Sequence, residues 1–381
     1  MKFEIYGTEF KSLIDRISGI VPKRTAIPSL ETVKITADGN TLTLHATDVE
    51  NHGVIKMRTE VYESGVKWVF LKDLKKVLGI SDLMTVTANG NIFEVRSKKK
   101  SYEIPCHDFA DIWFDLPVLE NNNVMCIQHD DEFLTHLSKL NNLRSENDNN
   151  RMMCSFCIDL PERKIVTLDG HRIGVAHLEG GMFSPSCKRL IAYGTLYNGL
   201  KSLVGKTKTQ NYIEIYADDK TIRFEGEDWV YITKMVEGQY FRFEHMFSQS
   251  DSDYDYTYKF NNKELGKIAK EYKKALSADV KKPMLFYNND GKIATGIEVD
   301  DYRTSDVIDV VSEYGMDHIW YVGVNPQFIV DACNVFDGEV TAKGRYKANA
   351  PFVFKDDTYD VLILPVNTSE ANYSFVRKQV A

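Results

Sequence analysis

The sequence lacks the features that would assign it to several common classes of protein. No run of about 18 apolar residues occurs, which argues against a membrane-spanning helix. The first residues alternate apolar and polar side chains without a signal-peptide core, so we expect a cytoplasmic protein. The one Cys-x-x-Cys pair, Cys154 and Cys157, has no second pair at the spacing of a zinc site. We therefore expect packed thiols there, and no metal.

Motifs typical of enzymes are also missing. The sequence contains no nucleophile elbow, no phosphate-binding loop and no HExxH motif. One acid–base pair is conceivable, because Asp169 and His171 would share a face if they lay on a strand. A catalytic motif needs supporting structural context, and none is evident here. We predict no catalytic residues and no cofactor, and keep an enzyme using this pair as the less favoured alternative.

What is present is the composition of an ordinary globular protein. The chain has 381 residues, of which 43% are hydrophobic and 27% charged, enough for two or three domains. The net charge is −8, which argues against a simple DNA-binding protein because such proteins are usually basic. The distribution of charge therefore matters more than its sum.

A threefold pattern of elements runs along the chain. Helical spacing recurs near residues 10–21, 71–78, 131–143, 194–204, 263–276 and 326–336, with strand-like runs after each. Equivalent helices begin roughly 120 to 130 residues apart, which is the size of a domain. The pattern predicts three tandem copies of one α+β domain, each with two helices packed on antiparallel sheets. We place the copies at residues 1–122, 123–250 and 251–381, with an extra C-terminal tail in the last.

Lysine collects on several of these predicted helices. The surplus comprises Lys72, Lys75, Lys76, Lys201, Lys206, Lys208, Lys263, Lys267, Lys270, Lys273 and Lys274. Residues 325–336 are the exception, with Asp331 and no base on the polar face. Diffuse lysine suits contacts with phosphates that do not depend on base sequence. The alternatives are ordinary solvated helix faces, or a three-domain scaffold that binds only proteins.

The stretch from Thr167 to Val175 places Asp169, Gly170, His171 and Arg172 in succession between apolar residues. By itself Asp-Gly indicates a turn between two strands. The run Thr167–Ile173 closely matches the Ala-Thr-Asp-Gly-His-Arg-Leu signature of the bacterial DNA polymerase III β subunit. Residues 22–30, 46–50, 236–240 and 361–366 resemble other segments of that family, in the same order. The whole chain therefore resembles a β sliding clamp.

The resemblance implies a fold and a function. Sliding clamps are head-to-tail homodimeric rings in which twelve helices line a central hole around duplex DNA and the sheets lie outside. Such a ring would place lysine toward DNA and acids outside, and would tether the replicative polymerase and clamp-loader subunits through short peptide motifs. By similarity, the residues that match DNA-contacting positions are Arg24, Lys72, Arg151, Met152 and Met153. Those that match the hydrophobic peptide groove are Cys154, Leu168, Gly170, His171, Arg172, Ile173, Phe241, His245, Met246, Leu362, Ile363, Leu364, Pro365 and Val366.

The sequence departs from the family at several of these positions. Phe241 replaces a usual proline, and His245 stands where a basic residue is common. Met152 and Met153 replace residues that are often aromatic, which weakens the expectation of stacking on DNA. The chain continues past Pro365 and Val366 through residues 367–381, and this tail could partly cover the groove or alter partner choice.

Overall fold

The computed structural model describes residues 1–120, 123–147, 149–205, 212–247, 253–276, 282–300 and 302–381. Lys206, Lys208 and the predicted domain ends at residues 122 and 250 lie outside the described residues. The helices in the described part of the chain are α1 (Gly7–Ile17), α2 (Leu71–Leu74), α3 (Asp130–Leu140), α4 (Thr195–Val204), α5 (Asn262–Ala275), α6 (Pro326–Cys333) and α7 (Ser374–Arg377). None of the helices found there is long and apolar enough to cross a membrane.

Strands make up most of the remaining regular structure. In chain order they are β1 (Lys2–Tyr6), β2 (Thr32–Asp38), β3 (Thr41–Thr47), β4 (Asn51–Arg58), β5 (Glu60–Glu63), β6 (Gly65–Phe70), β7 (Leu83–Asn89), β8 (Ile92–Arg96), β9 (Ser101–Pro105), β10 (Cys126–His129), β11 (Ser155–Asp159), β12 (Lys164–Leu168), β13 (Arg172–His177), β14 (Met182–Phe183), β15 (Arg189–Tyr193), β16 (Tyr212–Ala217), β17 (Thr221–Glu225), β18 (Trp229–Lys234), β19 (Tyr256–Asn261), β20 (Met284–Asn289), β21 (Lys292–Val299), β22 (Tyr302–Ile308), β23 (Val310–Tyr314), β24 (Trp320–Val324), β25 (Glu339–Gly344), β26 (Phe352–Lys355) and β27 (Tyr359–Ile363).

The first of two compact units comprises Met1–Thr135 and Gly180–Glu237. It contains one antiparallel sheet in the order β5-β1-β7-β8-β9 and a second in the order β14-β10-β16-β17-β18-β4-β3-β2-β6. Helix α1 buries Phe10, Ile14 and Ile17, which recur at helical spacing, and packs on β3, β4 and α4. The apolar face of the helix thus covers the sheet while its polar face stays exposed.

The second unit comprises His136–Glu179 and Gly238–Ala381. Its larger antiparallel sheet includes the run β11-β12-β13-β27-β26-β25-β19-β23, and its smaller sheet has the order β22-β21-β20-β24. Helices α5 and α6 pack together, and each is capped by an asparagine. The Asn261 side chain accepts hydrogen bonds from the first turn of α5, and Asn325 caps α6 just before Pro326.

The C-terminal tail packs on the small sheet of the second unit. A 3₁₀ turn at Glu370–Tyr373 leads into α7, and Tyr373, Val376 and Val380 are buried with Leu285 and Tyr287 of β20. The expectation that the tail could cover the predicted groove is wrong, because its apolar side chains face this sheet instead.

The mixed α+β class predicted from the sequence is confirmed, and a helix occurs at each of the six predicted places. The second predicted helix is shorter than expected, because α2 ends at Leu74 and continues as a 3₁₀ turn at Lys75–Val77. Residues of the predicted central domain contribute to both compact units. The division into three domains stays a prediction.

Candidate functional site

The Asp-Gly-His-Arg stretch forms a tight turn between β12 and β13, where Leu168 pairs with Ile173. The Asp169 Oδ1 accepts hydrogen bonds from the backbone N–H of His171 at 2.9 Å and of Arg172 at 2.8 Å. Gly170 adopts φ +87°, a left-handed conformation that favours glycine. The turn predicted from the Asp-Gly pair is therefore present.

The same aspartate-capped turn recurs at three other hairpins. Asp48, Asp218 and Asp356 each accept from the backbone N–H groups two and three residues later, at 2.7 to 3.1 Å. In the first of these turns Val49, with φ +82°, takes the place of Gly170. The aspartate thus serves a general turn. What distinguishes the turn at Asp169 is the side chains that follow.

Arg172 is buried, and its charge is neutralised by two carboxylates. Its Nε and Nη2 donate to Asp169 Oδ2 at 3.0 and 2.7 Å, and its Nη1 donates to Asp331 Oδ2 at 2.6 Å. Gln327 donates to the other oxygen of Asp331 at 2.7 Å, and the guanidinium lies 4.4 Å from the centroid of the Phe328 ring. This network fixes the planar guanidinium between the turn and helix α6. It also explains why α6 carries an acid where other helices carry lysine.

His171 is exposed and stacks on Phe328, with ring centroids 5.8 Å apart. Its backbone carbonyl accepts a hydrogen bond from Leu364 N at 2.8 Å, which joins the turn to the residue after β27. Asp169 meets His171 at the backbone amide, and both Asp169 oxygens are engaged by the turn and by Arg172. The two side chains are thus not arranged as the acid–base pair that the enzyme alternative requires.

A cavity of about 190 Å³ lies beside this turn, within the second unit. Its lining residues are Met153, Leu168, Gly170, His171, Arg172, Ile173, Phe241, Arg242, Phe243, Met246, Leu362 and Leu364. The walls are mostly aliphatic and aromatic, and the polar groups lie on the Asp-Gly-His-Arg turn and at Arg242. Such a pocket suits an apolar side chain whose backbone is held by a few polar contacts.

Nine of the fourteen residues matched to a peptide groove line this cavity, and five do not. Cys154 and Ile363 are fully buried. The Cys154 Sγ donates to the Asn147 carbonyl at 3.1 Å and so packs as a thiol in the protein interior. His245 lines a neighbouring cavity, while Pro365 and Val366 continue the chain beyond the lining residue Leu364.

Sequence reasoning missed three lining residues: Met153, Arg242 and Phe243. Met153 was assigned to DNA by resemblance, yet its side chain borders the cavity. Phe243 is only 3% exposed, and it forms part of the same cavity wall as Phe241. The aromatic cluster Tyr240-Phe241-Arg242-Phe243 was the available signal, because so many large side chains in a loop need a surface to cover.

The other residues matched to DNA contacts lie in both units. In the first unit Arg24 and Lys72 are exposed, and the Lys72 Nζ lies 5.0 Å from the Phe70 ring centroid. In the second unit Arg151 is exposed, and Met152 is half-buried. These positions leave the three basic side chains at the surface, as a contact with phosphates would require.

Helix α5 carries the most regular basic surface of the second unit. Lys263, Lys267, Lys270 and Lys274 are exposed and line one cleft along the helix. Their spacing of four, three and four residues puts them on one face over about 16 Å of helix axis. This arrangement places most of the lysines of α5 on one face of that helix.

The fold of the chain is that of solved DNA polymerase III β subunits. Residues 1–120 match the family model of the DNA polymerase III β subunit, N-terminal domain. A β sliding clamp of Proteus mirabilis is 21% identical over 260 residues, covering 63% of this chain and 66% of that protein, slightly less than two thirds. The chain is thus similar to the bacterial DNA polymerase III β subunit, and the family model covers its first 120 residues.

Solved structures of the family share the fold over nearly the whole chain. The β subunit from the DNA polymerase of Streptococcus pyogenes is 14% identical, with a TM-score of 0.86, and the match covers 97% of this chain and 100% of that chain. A Helicobacter pylori β clamp bound to a DNA ligase peptide is also 14% identical, with a TM-score of 0.78, covering 96% of this chain and 100% of that chain. At these identities the likeness concerns the fold.

Proposed function

We propose that the chain is a sliding clamp, a processivity factor that encircles duplex DNA as a homodimeric ring and tethers a replicative polymerase. The observation that carries the proposal is the apolar cavity built by the Asp-Gly-His-Arg turn and the last strand, in a chain with the clamp fold. We place the three domains at residues 1–122, 123–250 and 251–381, and the protein in the cytoplasm. Topological closure would then supply processivity without strong contacts to DNA.

The cavity is the proposed site for short peptides of polymerase and clamp-loader subunits. Its volume admits one or two large apolar side chains, and such buried anchors dominate the affinity of peptide interfaces. Arg172 and His171 would orient the peptide, because contacts with Asp331 and Phe328 of helix α6 hold their side chains in place. The peptide-bound state described for the Helicobacter pylori clamp supports this assignment.

The proposed DNA surface uses phosphate contacts. Arg24, Lys72 and Arg151 are exposed cations, and the lysine face of α5 adds a row about as long as a few phosphate spacings. Met152 and Met153 are weaker candidates, since a thioether offers no charge and Met153 borders the cavity. Contacts of this kind are independent of sequence and permit sliding.

The two alternatives have less support. An enzyme would need an Asp169 carboxylate free to hold or accept a proton, whereas both of its oxygens are engaged. A scaffold that binds only proteins would not need four lysines on one helix face. We therefore infer a non-catalytic clamp.

Retention on circular DNA is the deciding test. The protein is loaded onto nicked circular DNA by a clamp loader, and the circle is then linearised. A ring stays on the circle and leaves through free ends, whereas equal retention on both forms would refute the proposal.

Replacing Lys267 and Lys270 by alanine should weaken the salt-dependent component of DNA binding, by about one unit of the salt slope per lysine. The matched control is Lys259→Ala, because Lys259 lies on strand β19 and is paired with Glu313 rather than placed on the lysine face of α5.

A further inference from the structure

The residues after β27 are held at two backbone carbonyls. Leu364, which lines the cavity, donates its N–H to His171 O at 2.8 Å, and Val366 donates to Gly323 O at 2.7 Å. Residues 364–366 are thereby fixed at both ends, and the first of them lines the cavity. One end of this segment is hydrogen-bonded to the Asp-Gly-His-Arg turn, and the other end is hydrogen-bonded to strand β24.

The tail that follows is anchored within a few residues. Thr368 Oγ1 and the Tyr373 hydroxyl share a hydrogen bond of 2.6 Å, and the Tyr373 ring is 1% exposed with its centroid 4.7 Å from that of Tyr321. At the far end Asn289 Nδ2 donates to Val380 O at 2.8 Å. The tail is a docked segment with both apolar and polar anchors.

The strand and the tail meet at Gly323. The Gly323 carbonyl accepts a hydrogen bond from the Val366 N–H. A Cβ added to this glycine would lie only 2.7 Å from Thr368 Cγ2. A second glycine makes room further along, because a Cβ on Gly296 would lie 2.8 Å from both Phe375 Cε2 and Val376 Cγ2. The sheet is thus shaped to receive the tail closely.

From this geometry we propose that the C-terminal tail is a tether: by fixing residues 364–366 it holds the groove wall at Leu364 in its binding conformation. The tail touches no ligand itself and acts as a positioning segment. A wall that is already ordered spares the peptide the entropy of ordering it, which raises affinity. The inference rests on the proposed peptide-binding function of the same cavity.

The test loosens the tether while the tail stays docked. Gly-Ser-Gly is inserted between Asn367 and Thr368, and the same three residues are appended after Ala381 as the control. The probe is a fluorescein-labelled copy of a DNA ligase peptide of the kind bound by the Helicobacter pylori clamp. The insertion should weaken binding about tenfold, the effect of having to order roughly one more residue, and leave the control unchanged.

Amide hydrogen exchange separates this inference from the proposed function. The inserted chain should show faster exchange at Leu364 and Val366, while the amides of Tyr373 and Val380 keep their protection, which shows that the tail remains docked. Unchanged affinity together with unchanged exchange would overturn the tether. If the unmodified protein bound no peptide, the proposed groove function would fail, and the exchange rates would still decide whether the tail holds the wall.

Discussion

Replacing Asp331 by alanine should destabilise the second unit by breaking a buried ion pair. The side chains of Arg172 and Asp331 are only 7% and 11% exposed, and their contact distance is 2.6 Å. Loss of the carboxylate would leave the guanidinium in the protein interior with Asp169 as its one remaining acidic partner. It would also strip Gln327 of its acceptor.

The magnitude follows from the partner that remains. Breaking a buried ion pair by removing one member costs about 3–5 kcal/mol. Because Asp169 still neutralises Arg172 through two hydrogen bonds, we expect about 2–3 kcal/mol, at or below the lower end of that range. The side chain of Arg172 would also lose its fixed position beside the cavity, so peptide affinity should fall as well.

A urea titration read by circular dichroism measures the effect as a lower midpoint at unchanged slope. The control is Asp337→Ala, because that carboxylate is 88% exposed and bonded by Lys139. A surface ion pair of this kind contributes about 0–1 kcal/mol. If both variants lost the same small amount, the buried network would not stabilise the unit, and our account of Arg172 would be wrong.

Three further predictions concern the turns, the core and the pH dependence. Val49→Gly should stabilise by about 1 kcal/mol and Gly170→Val destabilise by about 1–2 kcal/mol in urea titrations, because both positions have positive φ. Leu362→Ala should cost about 3 kcal/mol and weaken peptide binding, since the side chain is fully buried beside the cavity. Burial, the neighbouring His52 and Lys34 lower the pKa of His45 to about 3. The contribution of His45 to stability should therefore be full above the unfolded pKa of about 6.5 and fall by about 1.4 kcal/mol per pH unit as the pH drops toward 3.

Each of these has a result that would count against it. Equal stabilities of the two turn variants would mean that backbone strain is not the cause. A Leu362→Ala protein with unchanged peptide affinity would show that the wall tolerates a void. For the pH series, His45→Gln should make the profile less steep, and a variant as steep as the unmodified protein would mean that His45 is not responsible. His52, whose pKa burial and Lys234 lower to about 4, should retain part of the slope.

The sequence predicts elements well where a pattern is local. Helix α1 is visible because Phe10, Ile14 and Ile17 recur at helical spacing, and the turn at Asp169 because Asp-Gly is a common turn pair. Both depend on residues close in the chain. The end of α2 is less predictable, because Lys75–Val77 keep helical spacing while tightening to a 3₁₀ turn.

The candidate site is only partly predictable for the opposite reason. Asp331 is 159 residues from Arg172, and no local pattern connects a lone acid on α6 with a distant guanidinium. The same holds for Val366 and Gly323, which meet through a single bridge. Resemblance supplied the positions of the groove, but the partners that fix those side chains become visible only when the strands are paired.

The docked tail also affects which residue types the small sheet carries on the face that the tail covers. Strand β20 is buried along Met284–Tyr287: Phe286 lies 5.8 Å from the Phe352 ring, while Leu285 and Tyr287 pack under the tail. Successive side chains of a strand point to opposite faces, so this strand is apolar on both. Without the tail, Leu285, Tyr287 and Ala294 would form an exposed apolar patch and invite self-association. A clamp that ends before such a tail should therefore carry polar residues at these positions to remain soluble.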